Sequence, residues 1–357
     1  MLQLVQVATA MRYFISDLRQ KLIEYAYSRW SNSDRELSDG YTIILPTPSD
    51  LPVFFSLAFE IIKKQDLTDL KEVLIIPDWP SPHFEKLCTD IARNSSNLPI
   101  RFAHLRLKDR LAWALSKGIT TRHFTQLVRG IDETRTDYAI IHDSDLFLPP
   151  GDFLRTQYEA CRDRGLAVFG VQPRRSMARE DRDTFVATWE MTLSVRWAKS
   201  FRPFMHKGQS SVINGRRQEF DTTLLPQYLT DAKLIDWTPR HGDFFHFTFV
   251  IAAYRCFLNG QPLPRDYGLK LFLIRTLIDV FDRSGWRYSH VPPHSEFLEG
   301  KFGLSDLQSH PDGSRLIGQF KETLRGIIHG KIFSQHQSEV LESRLADLLR
   351  SLRVDTD

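Results

Sequence analysis

Short apolar runs recur along the first half of the chain, with segments of helical spacing between them. The clearest runs are YTIIL (Tyr41–Leu45), EVLII (Glu72–Ile76), YAIIH (Tyr138–His142) and LAVFGV (Leu166–Val171), and a further strand is expected near Ile100–Leu105. Strands that are apolar on both faces are typical of parallel sheets covered by helices on both sides. The sequence therefore predicts an α/β fold around a mostly parallel sheet, and such sheets bind ligands at the carboxyl ends of their strands.

Two carboxylates follow one of these strands directly. Asp143 and Asp145 come after Tyr138–His142 with Ser144 between them. Alternate residues of an extended chain point to the same side, so these two carboxylates would repel each other. A hard divalent cation would remove the repulsion and keep coordination positions for phosphate oxygens. The pattern points to a metal–diphosphate site, and the alternative is a solvated loop whose acids cap the next helix.

The composition narrows the classes of partner. Hydrophobic residues make up 42% and charged residues 25% of the 357 residues, which is ordinary for a globular protein. A net charge of +3 suits an anionic small ligand or a membrane surface and gives no reason to expect a nucleic-acid partner. The three cysteines form no CxxC pair, and no uncharged run reaches the roughly 20 residues of a membrane span. We therefore expect a cytoplasmic protein without a transmembrane segment, with peripheral contact at the inner face of a membrane as an open alternative.

The segment from Leu115 to Leu154, LSKGITTRHFTQLVRGIDETRTDYAIIHDSDLFLPPGDFL, resembles the GT-A glycosyltransferases. Among these enzymes, the segment is most similar to the large inverting family (family 2-like), whose members use nucleotide-diphosphate sugars. Lys117-Gly118 stands at that family's lysine-glycine turn, Thr121-Arg122-His123 at its "ARN" motif with His for Asn, and Asp143-Ser144-Asp145 at its Asp-x-Asp motif. The resemblance covers residues 41–249 and implies a GT-A fold, a Rossmann-like and mostly parallel sheet covered by helices.

The resemblance also implies which residues contact the nucleotide-sugar donor. The turn after the first strand and the acid after the second would hold the base, and uridine is expected first because a carboxylate accepts the imide N–H of uracil. The implied donor contacts are Pro46, Thr47, Ser49, Asp78, Arg122, Asp143 and Ser144. Asp78 departs from the family's paired acids, since Trp79-Pro80 follows it.

A metal site formed by Asp143, Asp145 and a histidine on a late strand is likewise implied by the resemblance. The run FFHFTFVI (Phe244–Ile251) alternates as a strand, and His246 on it fills that place. His241, in the glycine-containing loop of RHGDFFHFTF, could reach a diphosphate. Because imidazole suits manganese better than magnesium, Mn²⁺ is the expected ion and Mg²⁺ the alternative. A histidine among phenylalanines could equally be a core residue.

An inverting transfer needs one general base to take the proton of the acceptor hydroxyl. In the GT-A fold this base is an Asp or Glu at the start of a helix, and the segment NGRRQEFDTTLLPQYL offers Asp221, with Glu219 as a competitor. The alternative is that Asp221 only caps the helix, a role that aspartate fills well.

Two further segments could complete the site. The aromatic segment TFVATWEMTLSVRW (Thr184–Trp197) is expected to be a strand, and Trp189, Glu190 and Trp197 within it could contact sugar rings or could belong to the core. The arginine-rich segment PRRSMAREDRD (Pro173–Asp183) could close over the donor phosphates, or could be a solvated loop.

Three regions are expected along the chain: an N-terminal helix and linker (1–40), a GT-A domain (41–260, with a nucleotide-binding part 41–150 and an acceptor side 151–260) and a mainly helical extension (261–357). The N-terminal helix carries an apolar face of Met11, Phe14, Ile15, Leu18, Leu22, Tyr25 and Ala26. It could pack on the core or on a partner, or lie on a membrane surface. The terminal helices could thus support a homodimer or a peripheral membrane contact.

These features together predict a metal-dependent enzyme that transfers a sugar from a nucleotide-diphosphate donor to an acceptor hydroxyl, with inversion. A UDP-sugar is the first expected donor. The acceptor is expected to be a carbohydrate or a glycan- or lipid-linked molecule. Two alternatives stay open. A haloacid-dehalogenase-like phosphatase would need Thr or Val where Phe147 stands. A nucleotide-sugar-binding protein without catalysis would explain the absent "ARN" asparagine and the altered motif around Asp78.

Overall fold

The computed structural model describes residues 14–15, 17–79, 81–95, 98–116, 119–171, 185–213, 216–238, 244–282 and 284–353. Its strands, in chain order, are β1 (Ser38–Thr47), β2 (Leu70–Pro77), β3 (Ile100–Phe102), β4 (Thr136–His142), β5 (Leu146–Phe147), β6 (Val168–Val171), β7 (Glu190–Ser194), β8 (Gln209–Ile213), β9 (Arg216–Phe220), β10 (Ile235–Thr238) and β11 (Phe245–His246).

Seven of these strands form the central sheet, in the order β10-β6-β7-β4-β1-β2-β3. Strand β7 runs antiparallel to β4 and β6, and the other adjacent pairs are parallel. Strands β5 and β11, and strands β8 and β9, form two small antiparallel sheets. The mostly parallel central sheet confirms the fold class that the apolar runs predict.

Helices precede, connect and follow the strands. The first, α1, covers residues 14–26 apart from residue 16. The others are α2 (Pro52–Ile62), α3 (Pro82–Ser95), α4 (Leu107–Ser116), α5 (Ile119–Glu133), α6 (Phe153–Asp163), α7 (Val195–Ser200), α8 (Leu224–Leu229), α9 (Val250–Leu258), α10 (Tyr267–Phe281), α11 (His294–Leu298), α12 (Leu304–Ser309), α13 (Gly313–His329) and α14 (Gln335–Ser351). Among the described helices, none combines the length and the apolar content that a membrane span requires.

Alternate residues of the central strands enter two different apolar cores. In β1, Ile43 and Leu45 belong to the larger core, together with residues of α2, α6, α10 and α14. Ile44 belongs to the other core, together with residues of α5 and α7. Both faces of the sheet are therefore covered, which explains why its strands are continuously apolar in sequence.

Two elements differ from the expectations drawn from sequence. Strand β1 begins at Ser38, inside the expected linker, and its pairing with β2 is irregular at Tyr41 and Thr42. The aromatic segment expected to be one strand is a strand only in β7. Helix α7 follows at once, because the Ser194 side chain caps it by accepting from the Trp197 N–H.

The C-terminal helices share the core of the sheet. Every described element after residue 261 is a helix, as expected. The buried residues of α14, however, lie in the same core as β1 and β2: Leu341, Leu345, Leu348 and Leu349. The larger core therefore crosses the expected boundary at residue 260, and the apolar face of the last helix is covered.

Candidate metal and nucleotide site

The chain turns directly after β4, and this turn carries the two aspartates. The Asp143 N–H donates to the Trp189 carbonyl (3.0 Å), and the Leu146 N–H donates to the Asp143 carbonyl (3.1 Å). Asp143 is half-buried, whereas Ser144 and Asp145 are 3% and 6% exposed. The two carboxylates thus leave the carboxyl end of a central strand of the sheet, where the sequence predicts a ligand site.

Strand β11 brings the histidine to the aspartates. It pairs antiparallel with β5, so that His246 lies opposite Leu146, the residue after Asp145. His246 Nε2 lies 3.5 Å from Asp145 Oδ1, and one ligand atom from each of Asp143, Asp145 and His246 lies within 4.8 Å of the others. The strand expected to continue to about residue 251 ends at His246, and α9 begins at Val250.

Trp189 connects the two halves of this cluster. Its carbonyl holds the backbone of Asp143, and its ring stacks on the His246 imidazole with 4.4 Å between the ring centroids and 24° between the planes. The sequence places Trp189 among possible sugar contacts. In the structure its ring is in contact with a predicted metal ligand.

His123 contacts the cluster from α5. Its Nε2 lies 3.2 Å from Asp143 Oδ1. Burial lowers the pKa of His123, but the charges of Asp143, Asp221 and Asp145 outweigh burial and raise this pKa overall. From the sequence alone, His123 is only a replacement for the "ARN" asparagine. Its contact with Asp143 gives that replacement a physical role.

The ligand atoms of the cluster suit a divalent cation. Two carboxylates supply the oxygen ligands that Mg²⁺ and Mn²⁺ prefer, and the imidazole nitrogen favours Mn²⁺ of the two. Three protein ligands leave further coordination positions for oxygens of a bound molecule. A cation would also balance the negative charge that Asp143 and Asp145 concentrate in this turn.

Glu190 and Trp197 are core residues and not sugar contacts. The Glu190 carboxylate is fully buried, lies 2.7 Å from His142 Nδ1 and accepts a hydrogen bond from Gln157 Nε2 (2.7 Å). Trp197 lies on α7, and its indole N–H donates to the Thr230 hydroxyl (2.8 Å). Of the two alternatives that the sequence leaves open, these contacts favour a core role for both residues over contact with a sugar ring, because both side chains are used inside the fold.

Asp78 lies at the end of β2, and its carboxylate accepts three hydrogen bonds. Its Oδ1 accepts from the Ser49 N–H (2.9 Å) and the Trp79 N–H (2.8 Å), and its Oδ2 accepts from the Arg255 guanidinium. Arg255 also donates to Asp50 Oδ1 (3.3 Å). A carboxylate oxygen offers two lone pairs, so one acceptor position of Oδ2 stays available to a ligand.

Arg255 is a functional candidate that sequence reasoning misses. It is 8% exposed and lies in α9, within the apolar segment VIAAYRCFL. Burial lowers its pKa, but Asp78 and Asp50 outweigh burial and raise it. A single cation within an apolar helix is a usable signal, since a buried charge needs a partner.

Arg122 lies close to Asp78 and Asp50 without forming an ion pair with either of them. Within the described part of the chain, no carboxylate pairs with it, and its guanidinium lies over the Trp113 ring at 5.0 Å. Burial and the nearby Arg255 charge lower the pKa of Arg122, and Asp78 and Asp50 only partly offset them. A half-buried guanidinium of this kind suits an incoming phosphate, which arginine binds with paired hydrogen bonds.

The other predicted donor contacts line the same end of the sheet. Pro46 and Thr47 end β1, opposite Ile76 and Pro77 of β2. The Thr47 carbonyl accepts from the Asp78 N–H (3.1 Å), and the Ser49 hydroxyl accepts from the Trp79 N–H (3.1 Å). These contacts order the turn around Asp78.

Asp221 follows β9 and does not cap α8. The cap position belongs to Thr223, and Asp221 Oδ1 accepts from the Thr222 N–H (2.7 Å). The charge of Asp221 is among those that raise the pKa of His123. Glu219, its competitor, is exposed in β9. Three predicted features lie outside the described residues: Lys117-Gly118, His241 and the segment 173–183.

No family model matches the chain, and no curated protein matches it. Structural comparison returns S. aureus TarS 1-349 at 12% identity and a TM-score of 0.37, covering 88% of this chain and 89% of that one. The likeness is weak. Mannosyltransferase PcManGT from Pyrobaculum calidifontis, in complex with GDP-Man and Mn2+, has 12% identity and a TM-score of 0.40, covering 98% and 97%. Glucosyl-3-phosphoglycerate synthase from Mycobacterium tuberculosis, in complex with Mn2+, UDP and glucosyl-3-phosphoglycerate, has 13% identity and a TM-score of 0.30, covering 49% and 60%.

Proposed function

We propose that this protein is a metal-dependent glycosyltransferase that uses a nucleotide-diphosphate sugar. The observation that carries the proposal is the convergence of Asp143, Asp145 and His246 at the carboxyl end of the parallel sheet, with ligand atoms within 4.8 Å of one another. Such a cluster suits a cation together with a diphosphate, and Arg122, which forms no ion pair within the described part of the chain, is available near Asp78 and Asp50 for a phosphate. The residues follow the Asp-x-Asp and late-histidine pattern of the family that the sequence resembles.

Each side chain of the cluster has a distinct task in this proposal. Asp145 and His246 would hold Mn²⁺, or Mg²⁺ in its place, and Asp143 would either add a third ligand or position the ribose. Such a cation would stabilise the negative charge of the leaving diphosphate. Arg122 binds a phosphate oxygen, and the Trp113 ring, 5.0 Å from its guanidinium carbon, supports it.

Asp221 acts as the general base on the acceptor side. Its carboxylate takes the proton of the acceptor hydroxyl while the hydroxyl oxygen forms the bond to the anomeric carbon and the bond to the diphosphate breaks. A single displacement of this kind inverts the anomeric configuration. Because Thr223 occupies the cap of α8, the Asp221 side chain is not committed to capping that helix.

Uridine is the first base to test. The remaining acceptor position of Asp78 Oδ2 can take the imide N–H of uracil, while the hydrogen bond from Arg255 orients the carboxylate. The acceptor is a carbohydrate or a glycan- or lipid-linked hydroxyl, and a cytoplasmic location stays a prediction.

A thermal-shift screen of UDP, GDP and CMP, each with and without Mn²⁺, tests the proposal on the wild-type chain and on Asp145→Ala. The expected result is stabilisation by one nucleotide that needs Mn²⁺ and is lost in the variant. Release of the nucleoside diphosphate from the matching sugar donor, in the presence of candidate acceptors, then measures transfer.

Other outcomes identify the alternatives. Donor binding without turnover for every acceptor would favour a binding protein. Release of inorganic phosphate that depends on Asp143 and not on Asp221 would favour a phosphatase. A chain that no nucleotide stabilises, with or without metal, would contradict the proposal.

A further inference from the structure

Exposed apolar side chains are concentrated on two helices. The described residues include thirteen large apolar side chains classed as exposed, and seven of them lie on α1 and α4. These seven, named here the α1–α4 patch, are Phe14, Ile15, Leu18, Leu22, Tyr25, Leu107 and Leu111. Exposure reaches 68% at Phe14, 82% at Tyr25 and 73% at Leu107. Exposed apolar side chains that are concentrated in this way suggest an interaction site.

The two helices are fixed to each other at the end of α1. The Tyr27 hydroxyl donates to the Asp109 carboxylate, and Lys108 Nζ donates to the Ala26 carbonyl (3.4 Å). Ile23 and Tyr27 enter a small core with Ala112 of α4. This contact holds the α1–α4 patch on one side of the molecule.

The rest of α1 lies outside the core. Its described residues from 14 to 22 are all exposed, and only Ile23 and Tyr27 near its end are buried. At 3.6 residues per turn, Phe14, Leu18, Leu22 and Tyr25 form one continuous stripe. The stripe therefore indicates a partner for α1.

Charged side chains lie on both sides of the stripe. By helical spacing Lys21 lies at one edge and Arg19 beyond the other, and Asp17 and Glu24 lie beyond Lys21. Asp17 is also within 2.8 Å of Lys21 Nζ, in an exposed pair of little strength. Apolar side chains bordered by Lys and Arg are typical of helices that lie in a membrane interface, where the basic groups reach the lipid phosphates.

Helix α4 continues the same pattern. Its acid, Asp109, is 2% exposed and bonded to Tyr27, so it adds no negative charge to the surface. Arg110 is exposed between Leu107 and Leu111, whereas Lys108 is half-buried and bonded to Ala26. Helix α4 therefore adds the positive charge of Arg110 to its two exposed apolar side chains.

We propose that the α1–α4 patch binds the surface of a membrane that contains anionic lipids. A second copy of the chain is a poorer occupant, because pairing through the same stripe would bring the Arg19 and Lys21 side chains of both copies along one seam. An anionic surface attracts the same residues, and each contributes about fivefold to binding. Apolar burial of the stripe supplies the remaining affinity.

Vesicle co-sedimentation tests this proposal on the full chain, with phosphatidylcholine vesicles and with vesicles that also contain phosphatidylglycerol. Binding is expected to the anionic vesicles, and to weaken as salt rises. The paired variants Leu18→Glu/Leu22→Glu and Arg19→Glu/Lys21→Glu should each weaken binding by about tenfold or more. The control Lys233→Glu/Leu234→Glu places the same changes on an exposed turn elsewhere and should bind as the wild type does.

The readout does not depend on sugar transfer, so its failure and the failure of the proposed function are distinguishable. Circular dichroism establishes that each variant is folded. Absence of binding to anionic vesicles, or binding that the two patch variants leave unchanged, would overturn the proposal. So would a lipid-free dimer, detected by sedimentation velocity, that Leu18→Glu/Leu22→Glu dissociates, because a second copy would then occupy the patch.

Discussion

At the scale of single residues, the side chains proposed to bind the donor are different from the side chain proposed to take the proton. Asp221→Asn removes the base and keeps the shape of the side chain, so kcat should fall by about 100-fold or more. The Mn²⁺-dependent thermal shift with nucleotide should stay close to that of the wild type, since Asp221 is not among the ligands of the cluster. Steady-state kinetics and thermal shift on one preparation measure both. A comparable loss of kcat in Glu219→Gln, with Asp221→Asn active, would contradict the assignment.

His206 gives a prediction for stability against pH. It is fully buried beside Trp30 and Trp197, its Nε2–H donates to the Ala198 carbonyl (2.9 Å), and burial lowers its pKa to about 4. The unfolded chain binds the proton more readily, so the neutral ring contributes stability above pH 6.5 that is lost as the pH falls towards 4. The loss from this group should approach 3 kcal/mol, on the order of the pKa difference.

Urea unfolding between pH 7 and pH 4 measures this loss in the wild type and in His206→Gln, which has no titrating ring. The variant should be less stable at pH 7 and should lose less stability on acidification. Equal pH dependence in the two chains would show that His206 does not titrate in this range.

Some site residues were accessible from sequence, and others were not. The apolar strand before them predicts Asp143 and Asp145 as ligands, the late aromatic segment predicts His246, and the structure brings the three together. The contact between His123 and Asp143 joins residues of α5 and the β4 turn, and the pairing of Arg255 with Asp78 joins positions far apart in the chain. Local spacing carries no information on such contacts, since they depend on how the elements pack.

At the scale of elements, α13 supports the strand that carries His246. A Cβ added at Gly326 would lie 2.1 Å from Cε1 of Phe245, the residue beside His246. Gly326→Ala should therefore displace β11, lower the stability by about 1–3 kcal/mol and weaken Mn²⁺ binding without touching a ligand. Gly318→Ala, on the same helix, is a matched control because an added Cβ there meets nothing within 4 Å. It should be neutral or stabilising by up to about 1 kcal/mol.

Isothermal titration with Mn²⁺ and chemical unfolding compare these two variants. If Gly326→Ala and Gly318→Ala bind Mn²⁺ equally well, the proposed support of β11 by α13 is wrong.

The elements also show where sequence patterns fail. The strands β1, β2, β4 and β6 were predicted because each is buried on both faces, which produces a continuous apolar run. The run FFHFTFVI was predicted as one strand, yet Phe249 adopts a left-handed conformation (φ 65°) and α9 starts after it. Such a conformation is unusual for a bulky residue and leaves no mark in the hydrophobic pattern.

At the scale of the whole molecule, one core joins the sheet to the C-terminal helices. A chain that ends at residue 260 would lose α10, α13 and α14, and would expose their partners in β1 and β2. We expect this fragment not to fold cooperatively, although the sequence suggests a domain that ends there. Urea unfolding followed by circular dichroism is the test, and a soluble fragment with a single cooperative transition would contradict the expectation.

The central claim is that Asp143, Asp145 and His246 together hold a divalent cation. Titration of Mn²⁺ in the presence of UDP, followed by electron paramagnetic resonance, measures this directly on the wild type, on Asp145→Ala and on Asp152→Ala, an exposed aspartate at the start of α6. The account predicts one bound Mn²⁺ per chain in the wild type and in Asp152→Ala, and at least about tenfold weaker binding in Asp145→Ala. Equal Mn²⁺ affinity in all three chains, or no binding in any, would contradict it.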